Sequence, residues 1–587
     1  MRRRDLLRGL AAAPLLRPPA VFAGDRPGDP PFQTRSAALG ANGMAATAHP
    51  LASLAAVEVL KAGGSAVDAA IAANAMLGVV EPTGCGIGGD LFALVWDPAE
   101  RRLLGLDASG FAPAGLDVDA LVRRHRARGA IDPLGMDAVT VPGAVAGWAA
   151  LHARFGRLPP AVLLAPAIAV AREGVPLAPV IARGWAANVR GFEAGRARIE
   201  AADLAFALFA PAGLPAEGDR FTNPDLAATY EGLARDGWTS FYRGPFAADL
   251  EAHFRAHGRP MRAADLAAMQ AEWVTPISAP YRGVRLWQIP PATQGVTTLQ
   301  MARIVERFPM AELAEADRLH VLVEAKKLAF ADRARFLADP RKVRVPVEAL
   351  LSDAYVAARA ARIAMGSALP DDVPPGDPEE HSDTSYLATA DSSGMMVSLI
   401  QSNYRGMGSG VVVPRRVPVP GGRGTWGFML QNRGAQFSLD PRAANAIAPG
   451  KRPFHTIIPG FVTRPGPAHD APLLAFGVMG GTMQPQGQVQ VLVNLVDLGL
   501  DVQAAGDAPR ARHLGSPDPG DGREARAGLF LESGFGAATR ASLAARGHVL
   551  LDGHHDVGGY QAVLRDAARG IYRGASESRK DGIALGY

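Results

Sequence analysis

The sequence has little of several features that mark particular classes of protein. Among its 587 residues is a single cysteine, Cys85, so neither an intrachain disulfide nor a cysteine-based metal site can form. Its 61 basic and 57 acidic residues leave a net charge of +4, with no excess that would favour nucleic-acid binding. No segment has the run of about 20 apolar residues that a membrane span needs. These absences predict a soluble protein that binds neither nucleic acid nor a membrane.

Histidine spacing gives no indication of a metal centre either. Thirteen histidines are scattered along the chain, and neither His513 nor the pair His554-His555 has the spacing of a ligand set. The helical pattern His-Glu-x-x-His is absent. The sequence therefore predicts no bound metal and no cofactor.

The glycines between Gly84 and Asp90 invite a comparison with phosphate-binding loops. However, the loop has no P-loop lysine, and the strand-like Leu91–Trp96 follows the glycines while a helix precedes them. That is the reverse of the order in a nucleotide-binding motif. We therefore interpret the glycines as a tight turn in which two backbone segments approach closely.

The N-terminus predicts export. Arg2-Arg3-Arg4 resembles a twin-arginine signal, and a short apolar stretch follows from Gly9 to Leu16. Val21-Phe22-Ala23 then offers the small residues that a signal peptidase reads. Residues 1–23 are therefore predicted to be a removable signal, and the mature protein to be periplasmic or secreted. The alternative is an arginine-rich leader without an export role.

An abrupt change of composition at Thr384 is the strongest functional signal. Residues 370–383 are rich in proline and acid, whereas Tyr386–Ala390 has the pattern of a strand. If the chain is cut between Asp383 and Thr384, the threonine gains an α-amine, with an ordinary pKa of roughly 8, beside its hydroxyl. One residue then holds both a nucleophile and its base. The alternative is an ordinary strand threonine after an exposed linker.

Hydrophobic periodicity predicts a helical first half and a mixed second half. Residues 50–79 predict two helices divided at Gly63-Gly64-Ser65, with a capping box from Ser65 to Asp68. Further predictions are helices at Ala161–Glu173, Pro224–Arg235, Pro245–His257, Ala311–Phe336 and Gly487–Leu498, and strands at Tyr281–Ile289, Leu473–Val478, His548–Leu551 and Tyr560–Leu564. This order of elements indicates an α+β or layered architecture.

The strand after Thr384 is predicted to form a hairpin with a second strand, Met395–Ser402. The turn between them is Asp391-Ser392-Ser393-Gly394. A four-residue loop would place Thr384 opposite Gln401, and a five-residue loop would place it opposite Ser402. In both registers a polar side chain lies beside the threonine.

An ordered set of short motifs resembles the γ-glutamyltransferase family of N-terminal nucleophile hydrolases. The resemblance extends from about Ala41 to Tyr587. The matching stretches are His49-Pro50, Val67–Ala72, Val80–Pro82, Gly86–Gly89, Asp107, Ala112–Ala114, Val141–Gly147, Phe241–Gly244, Phe330–Arg333, Asp383-Thr384, Asn445, Pro449–Pro453, Gly480-Gly481 and Asp581-Gly582.

The resemblance implies a fold and a self-cleaving precursor. The fold would be a four-layer αββα sandwich, in which two stacked antiparallel sheets lie between helices. Cleavage would give a large subunit, residues 24–383, and a small subunit, residues 384–587, that stay together as one compact unit.

The same resemblance implies the catalytic residues. Thr384 would be the nucleophile, and Ser402, where the family usually has threonine, would contact its hydroxyl. The backbone N–H groups of Gly480 and Gly481 would form the oxyanion hole, a role for which residues without side chains are suited.

The sequence departs from the family where the acyl group of the substrate binds. A classical member holds the α-carboxylate of a γ-glutamyl group with an arginine, and the matching residue here is Ser109. Gln436 replaces the acidic residue that holds the α-amine, and His455-Thr456 replaces a pair of serines. A neutral amide cannot give the ammonium a charge-assisted hydrogen bond, which is about twice as strong as a neutral one.

Other residues are expected to contribute to substrate binding in their place. Arg433 or Arg405 would supply a replacement cation, in a geometry that is new for the family. Asn403, directly after Ser402, is expected to contact the substrate as well.

Three functions are left open. Hydrolysis or transfer of a small γ-glutamyl or related amide through an acyl-enzyme on Thr384 is favoured. A glutaryl-type acylase of the same family is the alternative enzyme. A secreted binding protein that has lost catalysis is the alternative from another class.

Overall fold

The computed structural model of the protein describes residues 30–370, 384–516, 519–520, 527–553 and 555–587. Three sequence predictions concern residues outside these ranges: the signal peptide at residues 1–23, the acidic linker, and Asp383 of the cleavage site. None of the helices within the described ranges combines the length and apolar character that crossing a membrane requires.

The strands in the described residues are short to medium in length. They are β1 (Ala38–Gly40), β2 (Met44–Thr47), β3 (Asp90–Asp97), β4 (Arg102–Ala108), β5 (Val175–Pro176), β6 (Arg220–Phe221), β7 (Glu272–Val274), β8 (Ile277–Tyr281), β9 (Val284–Gln288), β10 (Ser385–Ala390), β11 (Met396–Ser402), β12 (Val412–Pro414), β13 (Thr425–Met429), β14 (Gly460–Arg464), β15 (Ala471–Val478), β16 (Ala511–Leu514), β17 (Gly528–Leu531), β18 (Leu550–Leu551), β19 (Tyr560–Asp566), β20 (Ile571–Ser576) and β21 (Ile583–Gly586).

The helices are concentrated before residue 384. They are α1 (Pro50–Lys61), α2 (Ala66–Val80), α3 (Val118–His125), α4 (Ala144–Phe155), α5 (Pro160–Glu173), α6 (Pro179–Ala194), α7 (Ala202–Phe209), α8 (Pro224–Asp236), α9 (Ser240–Arg243), α10 (Pro245–Ala256), α11 (Ala263–Ala267), α12 (Gly295–Val305), α13 (Glu315–Phe336), α14 (Val347–Leu350), α15 (Asp353–Ala360), α16 (Met483–Val496), α17 (Val502–Asp507) and α18 (Ala537–Ala545).

Two antiparallel sheets of seven strands each form the centre of the molecule. The first has the order β1-β20-β19-β15-β14-β9-β8, and the second has the order β21-β2-β10-β11-β3-β4-β7. They face each other through β1, β15, β19 and β20 of the first sheet and β2, β10, β11 and β21 of the second. Helices α1, α2 and α4 cover the outside of the second sheet, and α12, α16 and α17 cover the first. The predicted αββα, α+β sandwich is confirmed.

Segments from the two sides of residue 384 alternate within the sheets. In the second sheet β21, β10 and β11 come after this point, while β2, β3, β4 and β7 come before it. Strand β2 pairs with later strands on both sides, β10 and β21. A cut before Thr384 would therefore leave the two parts joined by many backbone hydrogen bonds, as one compact unit.

Helix α2 shows why the first helical segment is rich in alanine. It is buried along its whole length between α1, α5 and the second sheet, and small side chains let these elements pack closely. The predicted capping box is confirmed, since Ser65 Oγ accepts from the Asp68 N–H at 3.0 Å and the Asp68 carboxylate accepts from the Ser65 N–H at 3.0 Å.

Most of the other predicted elements are present with small changes of length. Helices α5, α8 and α10 match the predictions within one residue at each end, whereas α13 begins at Glu315, four residues later than predicted. The predicted strand Tyr281–Ile289 is wrong at its start. Arg282 and Gly283 have φ of +45° and +82° and form the turn of the β8–β9 hairpin, so the strand begins only at Val284.

Candidate active site

Thr384 lies directly before β10 at the buried centre of the second sheet. The β10–β11 register pairs Ser385 with Gln401, so the hairpin loop has five residues and Thr384 lies opposite Ser402. The Thr384 hydroxyl donates to Ser402 Oγ at 3.5 Å. Ser402 Oγ also accepts from the Tyr404 N–H at 2.8 Å. The structure thus places a second hydroxyl beside the predicted nucleophile.

The glycine-rich turn before β3 packs against this pair. A Cβ on Gly89 would lie 2.4 Å from the Ser402 carbonyl oxygen, and one on Gly84 would lie 3.2 Å from the carbonyl carbon of Thr384. The predicted close backbone approach is confirmed. Its consequence is that the turn holds the backbone of both hydroxyl-bearing residues.

Gly480 and Gly481 form a buried turn between β15 and α16. Their φ angles are +99° and +55°, a region that favours glycine. Neither N–H makes a hydrogen bond to another group of the described residues. The turn lies near the start of β10, since a Cβ on Gly477 would lie 2.5 Å from the Tyr386 ring. Two unused backbone donors near Thr384 have the character of an oxyanion hole.

Tyr404 occupies a strained position next to these hydroxyls. It is fully buried, and its φ of +83° lies in the left-handed region, where bulky residues are rare. Its hydroxyl takes a short hydrogen bond from Gln436 Nε2, and the Arg433 guanidinium lies 4.6 Å from the centre of its ring. Backbone strain of this kind is found at functional sites.

Arg433 is a fully buried cation with unused donors. Its Nη1 donates to Thr456 Oγ1 at 3.1 Å, and its Nε lies 3.7 Å from Asp90 Oδ2. Within the described residues, Nε and Nη2 have no hydrogen-bond partner. Burial lowers the pKa of Arg433 to about 10, against the opposing effect of Asp90, so the group remains charged at neutral pH.

Asp90, the first residue of β3, organises the polar groups around Arg433. One carboxylate oxygen accepts from the Gly110 N–H at 2.7 Å and from Gln431 Nε2 at 3.0 Å. The other lies 3.0 Å from His455 Nε2, while His455 Nδ1 lies 2.7 Å from the Pro453 carbonyl oxygen. Both ring nitrogens of His455 therefore lie within hydrogen-bond distance of oxygen atoms.

A side-chain bridge connects Arg433 to the Gly480-Gly481 turn. Gln294 Nε2 donates to the Thr456 carbonyl oxygen at 2.5 Å and to the Gly481 carbonyl oxygen at 2.9 Å. Arg333 in turn donates to Gln294 Oε1 at 2.8 Å. The predicted residues Thr456, Arg433 and Gly481 therefore belong to one connected network.

Asn403 and Arg405 lie on the edge of this network. The Asn403 amide donates to the Met407 carbonyl oxygen at 3.0 Å and braces the backbone after β11, although its Oδ1 has no hydrogen-bond partner among the residues that the structure describes. Arg405 is half-buried, with its guanidinium 5.3 Å from the centre of the Tyr404 ring. Of the two candidate cations, Arg433 is the one enclosed with the other site residues.

Sequence reasoning missed two members of the site, Asp90 and Gln294. A charged residue directly between the glycine-rich turn Gly84–Gly89 and the apolar run Leu91–Trp96 was the available signal for Asp90. The place of Tyr404 in the site was not predictable either, because its backbone strain is visible in the fold alone.

A second buried polar cluster was also missed. His320 and Glu324 on α13 and His548 place possible ligand atoms within 4.8 Å of one another. However, the two imidazoles are hydrogen-bonded at 2.8 Å, and the Glu324 carboxylate accepts from the Leu369 N–H at 2.7 Å and lies 3.0 Å from Lys327 Nζ. We interpret the cluster as a hydrogen-bonded network of the core, since the nearby ammonium opposes a bound cation.

The chain matches known proteins along most of its length. A family model described as gamma-glutamyltranspeptidase matches residues 52–587. The chain is 36% identical over 559 residues to the oxamate amidohydrolase proenzyme of Klebsiella pneumoniae, covering 93% of this chain and 98% of that protein. It is 33% identical over 557 residues to the glutathione hydrolase-like YwrD proenzyme of Bacillus subtilis, covering 93% and 99%.

A solved structure is similar over nearly the same span. The cephalosporin acylase of Bacillus halodurans superposes with a TM-score of 0.84 and is 40% identical, covering 96% of this chain and 99% of that one. The similarity therefore includes the segments on both sides of Thr384.

Proposed function

Because the chain belongs to the gamma-glutamyltranspeptidase family and is an amide hydrolase or acyltransferase of that family, we propose that Thr384 is its nucleophile. One observation carries the proposal. The buried Thr384 hydroxyl lies 3.5 Å from Ser402 Oγ, at the start of β10 and near a turn with two unused N–H donors. This is the combination that acyl transfer to a hydroxyl requires.

The proposed enzyme is a precursor that is cut between Asp383 and Thr384. The subunits would be residues 24–383 and 384–587. Both relatives are named as proenzymes, and the alternation of early and late strands in the sheets would keep the two parts associated. Cleavage would give Thr384 the α-amine that serves as its base.

The first chemical step forms an acyl-enzyme. Thr384 Oγ attacks the amide carbonyl carbon while its proton passes to the α-amine of the same residue. The carbonyl electron pair moves onto oxygen, where the N–H groups of Gly480 and Gly481 stabilise the negative charge. Loss of one such donor typically costs about 3 kcal/mol. When the C–N bond breaks, the ammonium returns the proton to the leaving amine and an ester on Thr384 remains.

The second step resolves that ester. Water, or an amine in the transfer reaction, attacks the ester carbonyl and gives a proton to the α-amine. The bond to Thr384 breaks, the proton returns to its hydroxyl, and a carboxylic acid or a new amide leaves. Each group involved belongs to the chain or the substrate, so the proposed cycle uses no cofactor.

The acyl group of the substrate is proposed to differ from the γ-glutamyl group. Gln436 is neutral and donates to the Tyr404 hydroxyl, so it offers no charge to an α-ammonium. This observation favours the acylase alternative, in line with the similarity to cephalosporin acylase. Residues 1–23 are proposed to export the precursor to the periplasm or beyond.

Intact mass and N-terminal sequencing of the purified protein, beside Thr384→Ala, test the nucleophile. The wild type should give two chains, the smaller beginning with Thr384, and the variant should give one uncut chain without amidase activity. Thr384→Ser is the matched variant and should keep part of both the self-cleavage and the amidase activity. An uncut wild type, or amidase activity in Thr384→Ala, would contradict the proposal.

A further inference from the structure

The unused donors of Arg433 require a partner. Nε and Nη2 of this fully buried guanidinium make no hydrogen bond within the described residues. Buried donors without partners are costly, and most such groups in proteins are paired with protein, water or a ligand. A guanidinium presents its N–H groups in a planar fork that matches a carboxylate. The structure therefore provides half of an anion-binding pair.

The unused Arg433 donors favour an anion. Asp90 already accepts from the Gly110 N–H and from Gln431 Nε2, and its other oxygen lies 3.0 Å from His455 Nε2. Asp90, Arg433 and His455 are all fully buried. A bound carboxylate would accept hydrogen bonds from the Arg433 N–H groups, whereas an ammonium offers them no acceptor and would lie beside a like charge.

Contacts connect Arg433 both to the residues beside Thr384 and to the Gly480-Gly481 turn. On one side it stacks on the ring of Tyr404, whose N–H is bonded to Ser402 Oγ beside Thr384. On the other side it reaches Gly481 through Thr456 and Gln294. An acyl group whose carbonyl lies between Thr384 and the Gly480-Gly481 turn would therefore have its far end near Arg433.

We propose that Arg433 binds a carboxylate on the acyl group, so that the preferred substrates are amides of an acyl group that carries a carboxylate but no ammonium. Asp90 is the positioning residue that holds Arg433 and His455 in place. This inference rests on the proposed function of Thr384, because it assigns the acyl end of the same site.

Matched anilide substrates test the inference. The p-nitroanilides of oxalate, succinate and glutarate monoacids are compared with the acetyl, butyryl and valeryl anilides of equal length, and with γ-glutamyl-p-nitroanilide. For at least one length, wild-type kcat/KM should be about 10- to 100-fold higher for the carboxylate-bearing acyl group, the range expected for a charged hydrogen bond. That acyl group should also be preferred over γ-glutamyl.

Three variants locate the effect. Arg433→Gln should reduce this preference about 10- to 100-fold, mainly through KM, whereas Arg405→Gln should retain it. Asp90→Asn should weaken the preference less than Arg433→Gln and also act through KM. If Arg405→Gln loses the preference instead, or if the wild type prefers neutral or γ-glutamyl anilides, the inference is wrong.

A binding measurement tests the inference even where a variant does not cleave itself or an anilide is not hydrolysed. Oxalate, succinate or glutarate should raise the unfolding temperature of wild type and Thr384→Ala more than the matched monocarboxylate, and Arg433→Gln should abolish that difference. Equal shifts for both classes of acid would overturn the inference. Cleavage of anilides that survives in Thr384→Ala would instead overturn the proposed nucleophile, so the two failures are distinguishable.

Discussion

The two ends of the candidate site differ in their side chains. The nucleophile end comprises Thr384, Ser402, Gly480 and Gly481. The acyl end comprises Asp90, Tyr404, Arg433 and His455. Both ends are buried. The polar side chains of the nucleophile end are two hydroxyls, and its one ionisable group would be the α-amine that cleavage gives Thr384, whereas the acyl end includes the ionisable side chains of Asp90, Arg433 and His455.

The difference follows from what each end is proposed to bind. Charge develops on the carbonyl oxygen only during the reaction, and fixed backbone donors stabilise it without a charged side chain that would also be buried in the resting enzyme. A carboxylate of the substrate is charged throughout and needs a permanent counter-ion. Changes at the nucleophile end should therefore slow all substrates equally, and changes at the acyl end should alter their ratio.

Apart from the loss of Thr384 itself, Gly480→Ala should give the largest effect at the nucleophile end. With φ at +99°, and with a new Cβ 3.2 Å from the Gly558 Cα, the turn must shift and move its N–H donors. We expect kcat to fall about 100- to 1000-fold for every acyl group. Gly213→Ala is the matched control, because Gly213 has φ of +98° with open space around it. A change in acyl preference in Gly480→Ala would contradict the division into two ends.

Ser402→Ala should have a smaller effect of the same kind. It removes the contact to the Thr384 hydroxyl and leaves the Tyr404 N–H without its acceptor. We expect kcat/KM to fall about 10- to 100-fold on all substrates, and Ser402→Thr to restore most of it. Ser398 lies on the same strand as Ser402. Ser398→Ala loses a buried hydrogen bond to Tyr386 of β10 and should keep the activity. Normal activity in Ser402→Ala would remove Ser402 from the mechanism.

Acidification should destabilise the fold through a group outside both ends. Burial lowers the pKa of His49, the N-cap of α1, to about 4 from 6.5, although Asp581 opposes the shift. Between these values the unfolded chain takes up a proton that the folded protein does not, so the free energy of unfolding falls as the pH falls.

Denaturant unfolding at about pH 7 and about pH 5 measures this loss of stability. His49→Asn should reduce it, because asparagine also caps helices but does not titrate. An unchanged pH dependence in His49→Asn would assign the acid sensitivity to other groups. The measurement also separates loss of activity by unfolding from titration within the site.

Local pattern reduced the hairpin of the nucleophile end to two registers, while the roles of its residues came from the family resemblance. The loop between β10 and β11 is short, so the two candidate registers could be counted from the sequence, and the five-residue loop is the one observed. The Gly84–Gly89 turn and the Ser65 cap were predictable for the same reason, since backbone geometry over a few residues determines them. The β8–β9 hairpin is the exception, because Arg282 occupies a left-handed turn position where the alternating pattern predicted a strand.

The sequence by itself determined the sandwich, the place of Thr384 at the start of a central strand, and the departure from the family pattern where a γ-glutamyl group is expected to bind. Only the tertiary structure decided which polar groups meet there. Asp90 and His455 are 365 positions apart and meet because the segment before β14, bridged to Thr293, sets the His455 ring edge-on against Phe92 of β3. The strength and direction of an interaction between buried charges depend on distance and desolvation, and neither exists until the sheets have formed.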